Sequence, residues 1–284
     1  MSTGRFFSTT IGIFVLAHGA AFGQVRNTDK ETSPIQDNSF LVEEAYNQEP
    51  GVVQHISTFS RMWNCKDWSY SFTQEWPAPG NWRHQLSYTL VGMHSGGFVG
   101  TGGGLGDTVF NYRYQLIGTG QTRVAFAPRV SMLFATGDVT KGRGIGGTGV
   151  QTNLPLSVVL HKRLVSHWNL GSTFVPHAQN ADHVSASSVG YNLGQSLIFV
   201  AHPRLNLMLE TYANTYQAVV HRGETVWART EYVSPGARWA FNFPSGLQIV
   251  SGVAVPLGIG PTAGERGAFL YLSFEHPFSN LAER

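Results

Sequence analysis

The chain has 284 residues, 13 % of them charged, and 19 lysines and arginines against 17 aspartates and glutamates leave a formal charge of +2. An ordinary soluble domain carries about a quarter charged residues, so this chain lacks the mixed-charge surface that solubility asks for. A balance so close to neutral also excludes nucleic acid as a partner on electrostatic grounds, and the single cysteine, Cys65, excludes an internal disulfide and any cysteine-based zinc site.

Residues 1–23 read as a secretory signal peptide. Arg5 supplies the positive start, Thr9 to Leu16 the apolar stretch, and Ala21-Phe22-Gly23 a cleavage site that leaves Gln24 first in the mature chain. The apolar run falls short of the roughly 20 residues a spanning helix needs, and no later stretch supplies one. Export without a spanning helix leaves a periplasmic protein, a secreted one or a membrane barrel.

Residues 24–50 read as a periplasmic leader: polar and aperiodic as far as Asn38, then apolar and acidic, with Phe40, Leu41 and Val42 ahead of Glu43, Glu44, Tyr46 and Glu49. This second part can enter the barrel lumen as a plug, dock as a short periplasmic helix, or serve as a strand entry behind a Pro50-Gly51 turn. The last is the reading adopted here.

From residue 51 to 278 the pattern is strand-like. Trp68, Tyr70, Phe72 and Trp76 share one face of a strand whose other face holds Ser69, Ser71, Thr73 and Glu75. Phe110, Tyr112, Tyr114 and Leu116 alternate with Val109, Asn111, Arg113 and Gln115. Val124, Phe126, Val130 and Met132 alternate with Arg123, Ala125, Arg129 and Ser131. Such alternation places one face in one solvent and the other face in another.

Short turn-like connections at Pro77–Asn81, Gly118–Gln121, Val165–His167, His202–Arg204 and Asn242–Gly246 alternate with longer segments at His94–Gly104, Thr136–Gly149, His177–Ser187, Val219–Thr225 and Gly258–Gly267. Outer-membrane barrels pair short periplasmic turns with long outer loops in this way. The fold class expected is therefore all-β: a transmembrane, antiparallel, up-and-down β-barrel of about twelve strands with both termini in the periplasm. Trp68, Trp76, Trp82, Trp168, Trp227 and Trp239 suit the aromatic girdles of such a barrel. The last strand, Gly267 to Phe278, resembles the terminal strand recognised by barrel-assembly machinery, with residues 279–284 trailing as a tail. Outer-membrane lipid, that machinery and a small-molecule solute are the partners this implies.

Four stretches carry a resemblance to a family. They are SFLVEEAYNQEPGVVQH from Ser39 to His55, GLGDTVFNYRYQL from Gly104 to Leu116, PRVSMLFATGD from Pro128 to Asp138 and QTNLPLSVVL from Gln151 to Leu160. In these the chain resembles the MetA-pathway of phenol degradation family of outer-membrane proteins. The resemblance implies a barrel that passes small, aromatic or other hydrophobic compounds, and supplies no catalytic residue.

If the apolar faces meet lipid, Glu75, Arg83, Asp107, Arg113, Arg123, Arg129, Glu210, Arg229 and Glu231 line the lumen. Arg113, Arg123 and Arg129 would then form a basic ladder facing Glu75 and Asp107, favouring anions if hydrated. The rival readings are a salt-bridged structural barrel and an outer-membrane enzyme of lipase or acyltransferase type. None of the eleven histidines lies in a nucleophile motif. The densest polar set, His177, Asp182 and His183, is expected to be solvated loop, so no catalytic residue, metal or cofactor is assigned. The glycine-rich stretches at 96–106 and 142–149 have no helix behind them to make a phosphate cradle.

Overall fold

A computed structural model describes residue 35 and residues 39–78, 81–97 and 102–277. The expected signal peptide, most of the leader and the C-terminal tail lie outside the described residues. Twelve antiparallel strands follow in chain order: β1 (Val52–Met62), β2 (Trp68–Pro77), β3 (His84–His94), β4 (Gly104–Leu105, resuming as Thr108–Tyr114), β5 (Val124–Phe126 and Arg129–Phe134) and β6 (Gly149–Asn153 and Leu156–His161). Then come β7 (Leu164–Gln179), β8 (Ser185–His202), β9 (Leu205–His221), β10 (Glu224–Asn242), β11 (Gln248–Ala254 and Leu257–Gly258) and β12 (Gly267–Pro277).

Each strand pairs with its chain neighbours, and β12 pairs with β1 from Val52↔Pro277 to Met62↔Gly267, which closes the sheet. Closure leaves no edge of unpaired N–H and C=O groups, the condition for strands to lie in hydrocarbon. Because twelve is even, Val52 and Pro277 sit at one rim, called here the near rim; the other is the far rim. Two interruptions have a common cause. Pro128 in β5 and Pro155 in β6 accept ladder hydrogen bonds from Tyr114 N (3.0 Å) and Ala127 N (3.2 Å) but have no N–H to return.

The alternation sorts side chains as expected. Phe110, Tyr112 and Leu116 face outward and are exposed, while Val109, Asn111, Arg113 and Gln115 are buried inside. Val130 and Met132 face out and Ala125, Arg129 and Ser131 face in. Trp82, Trp168, Trp227 and Trp239 are all exposed on the outer surface. In the terminal strand Phe269 and Tyr271 face the lumen, each 3 % exposed, while Leu270 and Leu272 face out.

The wall is uneven in height. β1, β2, β3 and β12 have 10 or 11 residues, close to the 9–11 that cross a bilayer, whereas β7 to β10 have 16 to 19. The excess, at about 3.3 Å per residue, extends that side by roughly 20 Å along the strands.

Three expected connections are corrected here. Val165–His167 lies within β7, and the turn falls at Lys162 and Arg163. His177–Ser187 reduces to a tip at residues 180–184. Val219–Thr225 reduces to a two-residue turn at Arg222 and Gly223, where Gly223 takes φ +74°, a conformation that glycine adopts without strain.

Candidate functional site

The inside of the barrel is not empty. Residues 39–48 run through its near half without secondary structure and are buried throughout. Buried backbone that forms no helix or sheet must find other partners, and here the barrel wall supplies them as side chains. Glu210 on β9 accepts from Leu41 N at 3.0 and 3.2 Å and from Val42 N at 3.3 Å. Asn169 on β7 grips both sides of Glu43, accepting from its N–H and donating to its carbonyl, each at 2.8 Å.

The segment then turns back toward the near rim. Ser157 accepts from Ala45 N at 2.8 Å, and Gln115 accepts from Asn47 N at 3.0 Å while donating to the Ala45 carbonyl at 2.8 Å. Gln85 accepts from Gln48 N at 2.6 Å, and Asn47 Nδ2 donates to the Arg83 carbonyl at 2.7 Å. Pro50 and Gly51 follow, Gly51 at φ +82°, and Val52 N closes the turn on the Glu49 carbonyl at 3.1 Å. The expected turn is therefore present, but the residues ahead of it are no strand entry: they occupy the lumen. Their own N–H and C=O groups bond to wall side chains rather than to a neighbouring strand, which is why no strand forms.

Charge is concentrated where the segment is deepest. Arg113 and Arg129 are direct cross-strand partners on β4 and β5, an arrangement that like charges disfavour. The inner segment compensates both. Arg129 holds the Glu43 carboxylate in a two-pronged contact, Nη2 to Oε1 at 2.9 Å and Nε to Oε2 at 3.2 Å, and reaches Asn111 at 2.6 Å and Gln151 at 3.0 Å. Arg113 donates to Asn47 Oδ1 at 3.1 Å, to the Glu44 carbonyl at 3.2 Å and to the Tyr46 carbonyl. Such forked, charge-assisted bonds are about twice as strong as neutral ones.

His167 shares a 2.7 Å hydrogen bond with Ser157, and its other ring nitrogen lies 3.7 Å from Glu44 Oε2. Serine, imidazole and carboxylate are adjacent, but Ser157 Oγ receives the Ala45 amide, the carboxylate belongs to the segment itself, and all three groups are buried. This grouping docks the segment.

A second wall meets the segment with a different surface. Phe40 is fully buried in an apolar cluster with Ile56, Ile198, Met208, Val250, Ala254, Phe269 and Tyr271. Its ring lies 5.6 Å from that of Phe269 and 5.5 Å from that of Tyr271. Gly236 and Gly252 form the floor, and a Cβ on either would come within 2.7 or 2.4 Å of the Phe40 ring.

Beyond Glu43 the β1 to β3 side of the lumen carries hydroxyls bonded to one another across strands, Thr58 to Ser71 at 2.6 Å, Ser60 to Ser69 at 2.8 Å and Thr73 to Thr89 at 2.8 Å.

Of the residues expected to line the lumen, Arg113, Arg129, Glu75 and Glu210 are inside, and the first two meet Glu43, Glu44 and Tyr46. Glu75 is fully buried beside Gln85, which donates to it at 3.1 Å. Glu49 and Arg83 are half-buried at the near rim, Arg83 stacked 5.1 Å above the Trp82 ring.

Four placements correct the sequence reading. Arg123 is exposed at the near rim just ahead of β5, so the ladder has two arginines and not three. Asp107 faces inward at the far rim and does not oppose them; it accepts from Gly137 N at 2.9 Å and Ile145 N at 2.8 Å, clipping the loop after β5 to the wall. Arg229 and Glu231 share the outward parity of Trp227, Trp239 and Phe241 and form an ion pair with each other outside the lumen.

The same parity puts Arg238 inside, buried against the Asn206 amide at 3.2 Å. That residue was missed, although it adjoins the outward Trp239 and alternation alone turns it inward. His167, Asn169, Ser157, Gln115 and Gln85 were missed as well. Burial, and then Asp67, push the Cys65 thiol up to about 12, which favours its protonated form. Among the described residues no three His, Cys, Asp or Glu side chains are grouped to hold a metal.

No protein-family model and no curated protein matches the chain. Among solved structures it is similar to the COG4313 outer membrane channel from Pseudomonas putida F1, at 12 % identity and a TM-score of 0.57 over 89 % of this chain and 99 % of that one. It is also similar to the NanC porin, at 9 % identity and a TM-score of 0.53 over 78 % of this chain and 98 % of that one. The fold is that of an outer-membrane β-barrel. Both neighbours are described as channels or porins; at these identities the likeness carries the fold, and function has to come from the lumen.

Proposed function

We propose that this protein is a gated outer-membrane channel for small molecules, closed in the described state by residues 39–48, with both ends of its wall in the periplasm. The observation that carries the reading is the docking of that segment. Its backbone bonds individually to wall side chains, and its Glu43 balances two facing arginines, so the wall is built to receive it. The fold shared with two channels supports the same reading, as do the hydroxyls on the β1 to β3 side of the lumen, which suit uncharged solutes.

An apolar strip in an otherwise polar lumen fits aromatic or other hydrophobic solutes crossing by passive diffusion once the segment moves. Export through the signal peptide and insertion by barrel-assembly machinery belong to the same proposal. The serine–histidine–carboxylate grouping at Ser157, His167 and Glu44 serves the docking of the segment in this reading.

The test is planar-bilayer recording of wild type against a chain lacking residues 25–44. The deletion is expected to raise single-channel conductance and to admit small neutral solutes in liposome swelling. Unchanged conductance and swelling would overturn the proposal.

A further inference from the structure

We infer that the slot filled by Phe40 is a binding site for a flat, benzene-sized apolar ring carried by the solute, and that a ring entering it displaces Phe40 and frees that end of the inner segment. The inference deepens the channel reading and rests on it. Gly236 and Gly252 cut the wall back to the thickness of a ring: a Cβ at either position would lie 2.7 or 2.4 Å from Phe40. Phe269 and Tyr271 flank the ring at 5.6 and 5.5 Å with tilts of 38° and 45°, within the range of favourable aromatic pairs.

The ring contacts are separate from the backbone of residue 40, which bonds to Glu210 as Leu41 and Val42 do, so a free ring reproduces the ring contacts alone. The rest of the segment differs, because its amides and the Glu43 carboxylate meet directional partners that an apolar solute cannot replace. Of the segment's two anchorages, only the slot is open to competition. Phe40 has the advantage of its tether, which gives an attached group an effective concentration on the order of millimolar. A free ring with equal contacts must reach that range to compete, so an apolar solute concentrated in the lumen frees the Phe40 end of the segment while trace amounts leave it docked.

The experiment uses full-length protein in detergent carrying Ser39→Cys in a Cys65→Ser background. Ser39 is buried beside Phe40 and bonds Ser196 at 2.9 Å, so its thiol reports the docked segment. Millimolar benzene is expected to speed thiol labelling about tenfold, and cyclohexane, puckered and thicker, to do much less. In Phe40→Ala the slot is vacant and untethered, and benzene is expected to raise the melting temperature at lower concentration than it acts on the intact segment. Labelling unchanged by benzene would overturn the site, and this arm needs no Phe40 variant to fold. If residues 25–44 gate conductance but benzene neither speeds labelling nor stabilises Phe40→Ala, the channel stands and the ring site falls. If benzene does both but the deletion leaves conductance unchanged, the site stands and the channel reading falls.

Discussion

The segment from Ser39 to Gln48 meets two walls of one barrel, and they hold it by different means. Toward β3 to β7 the contacts are hydrogen bonds and one buried ion pair, each with a fixed direction and a named partner. Toward β10 to β12 the contact is a ring against rings and glycines. A directional wall sets where the segment lies along the lumen, because a shift of one residue breaks every bond at once. A dispersive wall adds attraction that scales with buried area and accepts any object of similar shape. Position is therefore written on one wall and exchangeability on the other.

The strongest way to break this contrast is Arg129→Ala. It leaves the Glu43 carboxylate buried without its fork, a change that costs about 3–5 kcal/mol when the charge stays dry. The cost is capped by the segment's freedom to leave, so the expected outcome is release: faster labelling at Ser39→Cys and conductance near that of the chain lacking residues 25–44. A double-mutant cycle with Glu43→Gln isolates the pair, and full additivity would show that the two side chains do not couple. The dispersive wall is probed by Gly252→Ala, whose methyl enters the space of the Phe40 ring. Overpacking of this kind costs about 1–3 kcal/mol. Phe40 should leave the slot while Glu43 keeps its bond to Arg129, so labelling at residue 39 rises without the full gain in conductance. Equal conductance for the two variants would remove the distinction between the walls.

Much of this arrangement was legible from the sequence, and the misses have physical causes. In β4 the polar face carrying Arg113 alternates with Phe110 and Tyr112, and lipid on one side keeps the pattern sharp. The acidic run at Glu43 and Glu44 marked a segment with business near the arginines, yet its path depends on Asn169, Ser157, Gln115 and Gln85, neutral side chains whose role shows only once the wall is closed. Arg229 and Glu231 were assigned inward although Trp227 and Trp239 of the same parity were assigned to the membrane surface. Consistent counting would have exchanged them for Arg238. The long hairpins failed for another reason. Past the bilayer both faces of β7 to β10 meet water, so residues such as Gln217 and His221 lose the apolar alternation and read as loop even where the ladder continues to the turn at Gly223.

A smaller effect sharpens the account of the directional wall. Ser157→Ala removes the acceptor for the Ala45 amide and the partner of His167, and one orphaned buried group of this kind costs about 1–3 kcal/mol. The segment should stay docked through Arg129 and Asn169, with labelling raised only modestly. Release as complete as that of Arg129→Ala would mean that the wall acts through Ser157 and not through charge.

The smallest effect lies at the far rim, where the loop clipped to the polar wall by Asp107 is braced by Asp138. That carboxylate accepts from Thr140 N and Oγ1 at 3.1 and 2.5 Å and pairs with Lys141 at 3.0 Å. The hydrogen bond from Thr140, then Lys141, lower its pKa from 3.8 to about 2. A carboxylate whose folded pKa is depressed contributes stability in full above its unfolded value and loses it as the pH falls through the folded one. The brace is therefore intact at pH 5 and lost between about 4 and 2, by a small amount because Asp138 is solvent-exposed. Proteolysis of residues 137–145 by an acid-active protease should rise across that window in wild type and stay flat in Asp138→Asn, with labelling at residue 39 unmoved in both. If residue 39 follows the same titration, the far-rim loop and the inner segment are coupled through the polar wall, and that wall, not the segment alone, is the gate.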